Sequence, residues 1–392
     1  MTYRAFYSYA WDILERGVGD VIAEVTGLGM NTLSVAGAYH AGKFLRPRGT
    51  GGKTYFPEDG TVYFRPDPSR YGKIKPIPNH ILDEHDVFAE LTKAGGIAVN
   101  AWMVLLHNSR LGMTHPEATV ETAFGDRLVY SLCPSNPDAR ELAVALCRDV
   151  TESYPVLGVS IETPGFLPSV HGYHHEFNLV KPNRWLDNQL GLCFCAHCRA
   201  GAKRAGIDAD ALRARVKADV ESYLASDIDL PDDMADAMWL ADTRTDGEMG
   251  AFLAWRCAVV TSLVAEIRDA VRKDAAVAII PSVARPTGGA WYEGTDLKAL
   301  ATAAGIIEAC FYEPSAARVL ADAWDVKRRI GDAGATIRGL MRASHPDLNS
   351  AGEVAAAVAG LRAVGIEDVA FYNFGFYRPR SFAWIKAAFE GT

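Results

Sequence analysis

Short apolar runs with alternating polar positions begin at Arg4 (RAFYSYA), Thr32 (TLSVAGA), Ile97 (IAVNAWM), Leu157 (LGVSIE), Val277 (VAIIPSV), Ile306 (IIEACFY), Thr336 (TIRGLM) and Asp368 (DVAFYNF). Each has the length and the β-branched and aromatic content of a strand. Between them the apolar spacing changes to the three-and-four pattern of amphipathic helices, over 18–28, 84–94, 138–153, 297–304, 316–333, 351–364 and 379–389. Eight strands followed by helices predict a parallel sheet closed into a (β/α)8 TIM barrel, with 1–392 as a single catalytic domain. Two connections exceed what the repeat needs. One spans 40–79; the other, 163–274, is an insertion between strands four and five with helical patterns of its own at 208–226 and 248–273.

In such barrels the chemistry sits at the C-terminal ends of the strands. Strand four ends in GVSIETPGF, where Leu157, Val159 and Ile161 share the face toward the helices, so Gly158, Ser160 and Glu162 face the barrel interior. A carboxylate ending an apolar strand must be solvated, paired or used. Glu162 is therefore expected in the mouth as a catalytic carboxylate. Other strand ends supply Trp11, Asp12, His40, Asn100, Trp102, His107, Asn108, Tyr312, Arg342, His345 and Asn373 as substrate-binding candidates, and the loop HGYHHEFN adds His174, His175 and Glu176. Aromatic rings beside donors and acceptors suit a sugar, whose C–H faces stack while its hydroxyls need hydrogen bonds.

Glycoside hydrolysis needs two carboxyl groups. Glu313, in CFYEPS after strand six, is at the right height to partner Glu162; Glu308, Glu176 and Glu293 are the alternatives. Adjacent His174, His175 and Glu176 lack the helical spacing of an H-E-x-x-H metal site. GTGGKT at 49–54 is not a phosphate-binding loop either, so no cofactor is expected for catalysis.

LCFCAHCRAGAKRAG places Cys193, Cys195 and Cys198 in a C-x-C-x-x-C cluster, a spacing that suits a structural zinc. Cys133, Cys147 and His197 are candidates for the fourth ligand.

Composition narrows the partners. The chain is 49% hydrophobic with a net charge of −8, which fits a large core and lacks the basic excess of a nucleic-acid binder. No uninterrupted apolar run of membrane-spanning length stands out, and MTYRAFYSYAWDILERG lacks the form of a secretory leader. Seven cysteines, an odd number, fit a reducing compartment. The expectation is a cytoplasmic protein with a small carbohydrate substrate, no nucleic-acid or membrane partner, and homo-oligomer formation left open.

The eight-strand order, Glu162 after strand four, the cysteine cluster in the following insertion and SLCPSNPDARELA together resemble bacterial glycoside-hydrolase-like TIM-barrel proteins. The cysteine cluster is similar in kind to that of the zinc-carrying family-42 β-galactosidases. That resemblance implies a glycosidase. In the clan of those galactosidases the acid/base follows an Asn at the end of strand four and the nucleophile ends strand seven; here Ile161 precedes Glu162 and strand seven runs into GLMRASHPD. A strand-four nucleophile with a strand-six acid, as in some α-glycosidase barrels, is the arrangement that the carboxylates permit. A metal-dependent sugar isomerase or lyase, and an inert carbohydrate-binding barrel, are the other function classes.

Overall fold

The computed structural model describes residues 2–171, 173 and 175–390. Eight strands form the barrel: β1 (Arg4–Ser8), β2 (Thr32–Tyr39), β3 (Ala98–Val104), β4 (Gly158–Glu162), β5 (Ala276–Ile279), β6 (Gly305–Cys310), β7 (Thr336–Met341) and β8 (Asp368–Phe371). Each pairs in parallel with the next, and β8 pairs with β1 through Phe6 and Phe371, so the sheet closes. The expected (β/α)8 barrel is the fold. All eight strands and all seven helical segments read from the pattern are present, with boundaries shifted by a few residues.

The alternation on β4 places its residues as the pattern predicts. Val159 and Ile161 are buried against the helices, while Ser160 bonds across the interior to Asn100 and Glu308. The barrel core is a single large cluster of buried apolar side chains. Helices of the insertion and their neighbours enclose a second cluster around Trp185, Phe194, Trp239 and Phe252; Trp255 packs against both.

The helix Gly247–Ala270 is long and apolar enough to cross a membrane by length and composition, a feature that inspection of the chain for uninterrupted apolar runs passes over. Here it packs beside the helices Pro137–Ser153 and Leu297–Ala304 and carries a fully buried Arg256 at its middle.

Candidate active site

The C-terminal strand ends open into a cavity of about 350 Å³. Tyr39, Trp102, Glu162, Tyr312, Arg342 and Tyr372 come from the strands or the residues just beyond them, while His40, His107 and His171 close one side. A recess of about 60 Å³ continues past Glu162 and His171 to Ser282 and Glu293. The tyrosines form an ordered rim: the Tyr9 hydroxyl shares hydrogen bonds with those of Tyr39 (2.8 Å) and Tyr372 (2.7 Å). His40 stacks between Tyr39 and His107, at centroid distances of 4.3 and 4.2 Å. Burial pushes the His40 imidazole down to about 4 and also lowers His171.

Glu162 ends β4, and the chain then turns at Thr163, whose φ of 54° is uncommon for a β-branched residue. Its carboxylate accepts a hydrogen bond of 2.6 Å from the Trp102 indole N–H. Burial pushes it up to about 7, against the pull of that N–H and of the Arg342 charge.

Glu293 reaches the same place from the loop after β5. It ends a short 3-10 helix, Thr287–Glu293, and Gly294 follows with φ of 90°, where a side chain would also strike Val260. Its carbonyl accepts from the Phe166 N–H at 2.9 Å, and Gly165 passes so close that a Cβ there would lie 2.2 Å from the Glu293 oxygen. The loops after β4 and β5 are thereby tied together beneath the two carboxylates. Glu293 accepts from Ser282 at 2.6 Å. Burial, with repulsion from the Glu162 charge added to it, pushes Glu293 up to about 7.

Glu313 does not line this cavity. Its buried carboxylate accepts from Arg318 at 2.5 Å, on the side facing the helix Ala316–Ile330. Glu308 is at the barrel floor with Ser160 and Arg338. Glu176 is on an exposed stretch where it accepts from the Tyr173 N–H, and His175 is exposed beside it. His174 lies outside the described residues.

The remaining candidates divide. His40, Trp102, His107, Tyr312 and Arg342 line the cavity. Trp11 and Asp12 do not, because the chain enters the helix Ala10–Arg16 directly after β1; Trp11 stacks on Tyr9 and Asp12 pairs with Arg46 at 2.7 Å. Asn100 is one layer too deep, donating to Ser34 and Ser160 at 3.0 Å. Asn108 caps the helix Ser109–Thr114, Asn373 caps the turn Phe374–Phe376, and His345 is exposed. Sequence reasoning passed over His171, although it opens the HGYHHEFN loop, and Ser282, which carries no signal beyond lying in a loop; Glu293 was legible only as one of several acids.

Away from the mouth, Cys193, Cys195 and Cys198 converge with Cys133, all buried, with their sulfurs within 4.8 Å of one another. Cys133 is 3.7 Å from Cys193, 3.7 Å from Cys195 and 3.5 Å from Cys198. Four thiolates at about 2.3 Å from one tetrahedral ion stand about 3.8 Å apart, so the donor set fits a closed zinc site. Backbone N–H groups of Glu121, Ser135 and Cys198 point at these sulfurs. His197 is exposed and Cys147 lies outside the cluster, so Cys133 is the fourth member.

A (β/α)8 barrel with one carboxylate in an aromatic mouth and a second in the recess beside it, neither within ion-pair distance of a cation among the described residues, is the class of protein that this geometry defines. Among solved structures the chain is similar to an alpha-L-fucosidase isoenzyme 2 from Paenibacillus thiaminolyticus, at 12% identity and a TM-score of 0.50, covering 100% of this chain and 49% of that one. It is also similar to a chitinase from Chromobacterium violaceum (11% identity, TM-score 0.43, 99% of each chain) and a beta-mannanase from the blue mussel Mytilus edulis (7%, 0.40, 100% and 92%). The chain spans about half the length of the fucosidase. At these identities the likeness shows the fold alone, a (β/α)8 barrel, and it does not single out the family-42 galactosidases. No protein-family model and no curated protein matches the chain.

Proposed function

We propose that this protein is a glycoside hydrolase acting on small oligosaccharides or glycosides, with Glu162 as the ionised carboxylate and Glu293 as the general acid. The observation that carries the reading is that these two carboxyl groups share one recess, lack a cation within ion-pair distance among the described residues, and are both pushed up to about 7. Two interacting acids of this kind hold one proton between them near neutrality, which supplies an acid and an anion at once. The Trp102 N–H and the Arg342 charge favour the anion on Glu162. The Glu162 charge disfavours it on Glu293. Glu293 then gives its proton to the leaving oxygen while Glu162 attacks the anomeric carbon or activates water. The aromatic rim holds the sugar rings.

We assign Cys133, Cys193, Cys195 and Cys198 to a structural zinc that fastens the insertion to the hairpin Thr119–Glu121 and Arg127–Leu132 of the preceding loop. Protein purified without added metal should carry about one zinc per chain, and Cys195→Ser should lose it; a metal-free protein with four titratable thiols removes the assignment. With residues 1–392 acting as one catalytic unit, seven cysteines with no disulfide among the described residues favour the cytoplasm.

The deciding experiment is a screen of nitrophenyl glycosides and unsubstituted disaccharides with purified protein. Release of sugar that depends on Glu162 supports the reading. Sugar binding with no turnover of any glycoside makes the barrel a binding protein.

A further inference from the structure

The mouth contains a cation whose hydrogen-bonding edge is unused. Arg342 follows β7 directly, and its guanidinium carbon stands over the Tyr312 ring, 3.6 Å from the centroid, a contact that needs none of its N–H donors. Among the described residues its side chain makes no hydrogen bond, and Nε is buried without an acceptor. Burying such a donor unpaired is costly, and a site meant to be filled explains the cost. The nearest anion is Asp347, 3.5 Å from Nη1.

Asp347 is engaged through Oδ1, while Oδ2, the oxygen that faces Arg342, accepts no hydrogen bond among the described residues. Oδ1 accepts from Arg285 Nη1 at 2.6 Å, and that same nitrogen also donates to the Tyr312 carbonyl at 2.6 Å. Two guanidinium groups therefore share one carboxylate, leaving about one positive charge, and the free edges belong to Arg342. Among the described residues no other lysine or arginine lines the cavity; of its three histidines, half-buried His40 and His171 are held toward the neutral form, and buried His107 stacks on His40.

We propose that the mouth is built for a sugar bearing a carboxylate, a uronide, with Arg342 as the residue that grips it. The assignment rests on the glycosidase reading above. A carboxylate is planar and monoanionic, matching a single guanidinium edge to edge. A phosphate dianion calls for a second permanent cation, and among the described residues no further lysine or arginine lines the cavity.

The test pairs each nitrophenyl uronide with the glycoside of the corresponding neutral sugar. The wild-type protein should prefer a uronide by at least about tenfold in kcat/KM, and Arg342→Gln should cut that preference by about ten- to a hundredfold, chiefly through KM, with Arg342→Lys recovering part of it. Equal turnover of the two series, or a preference unmoved by Arg342→Gln, overturns the proposal. Calorimetric titration of the wild-type protein and both variants with glucuronate, galacturonate and glucose 6-phosphate separates this inference from the one beneath it. Uronate binding that depends on Arg342, with no glycoside cleaved, removes the hydrolase and keeps the uronate site. Cleavage of neutral glycosides with no uronate bound does the reverse, and tighter binding of the sugar phosphate also overturns the carboxylate assignment.

Discussion

The two ends of the barrel are built from the same strands and differ in what stands opposite a buried carboxyl group. On β4, Ser160 faces the floor and Glu162, two residues on, faces the mouth. At the floor Ser160 donates to Glu308 at 2.5 Å, Asn100 donates to Ser34 and Ser160, and Arg338 stands 3.8 Å from Glu308 while covering the Tyr3 ring. At the mouth, among the described residues, Glu162 has one donor, Trp102, and Glu293 has one, Ser282. Glu308 is no richer in hydrogen bonds, for its Oε1 and the Arg338 Nε lack partners among the described residues, but it stands opposite a cation and the two mouth carboxyls do not. Buried carboxyls without a cation beside them keep a proton affinity suited to chemistry near neutral pH. Glu313 follows the pattern of the floor, for its arginine partner occupies it and it lies off the cavity.

The same substitution should therefore do different things at the two ends. Glu162→Gln is expected to retain the fold and sugar binding while lowering kcat by about three to five orders of magnitude, as removal of a reacting group does. Wild-type turnover by that variant breaks the comparison at once. At the floor, Glu308→Ala should cost about 3–5 kcal/mol in denaturant unfolding, because it empties a buried space and leaves Arg338 to the more distant Asp368, 4.0 Å away. A loss below about 1 kcal/mol would mean that the floor network contributes little.

A smaller effect has the opposite sign at the mouth. Burial raises Glu162 and Glu293 above the ordinary glutamate value, so folding favours their protonated forms. Their cost to stability is absent below about pH 4.5 and grows as pH rises through about 7, where the folded protein must hold the charge. Glu162→Gln or Glu293→Gln should accordingly stabilise the protein by about 1–3 kcal/mol at pH 8 and hardly at all at pH 4. Melting curves of the three proteins at both pH values check this, and destabilisation at pH 8 would show that the carboxylates are held as paired anions.

Most of the barrel was legible because strand and helix periods are local. Glu162 was legible for the same reason, since the alternation along β4 decides which way it points. Trp11 and Asp12 were misplaced because β1 gives way to a helix at Ala10, one residue after Tyr9, and the helix turns both away from the cavity. Glu313 had the right height, but height does not reveal direction, and Arg318 lies five residues on in the next helix. Glu293 and Cys133 reach their sites only through tertiary contacts, the Gly165–Glu293 approach in one case and the meeting of two long loops in the other. Neither distance is written in a window of neighbouring residues.

The central claim is that Glu162 and Glu293 act as a pair, and leaving-group dependence of Glu293→Gln tests it most directly. With a dinitrophenyl glycoside, whose leaving group needs no proton, kcat/KM should fall by less than about tenfold; with the unactivated methyl glycoside it should fall by at least about a thousandfold. An equal loss on both substrates, or no loss on either, contradicts the assignment of Glu293 as the acid and with it the pair.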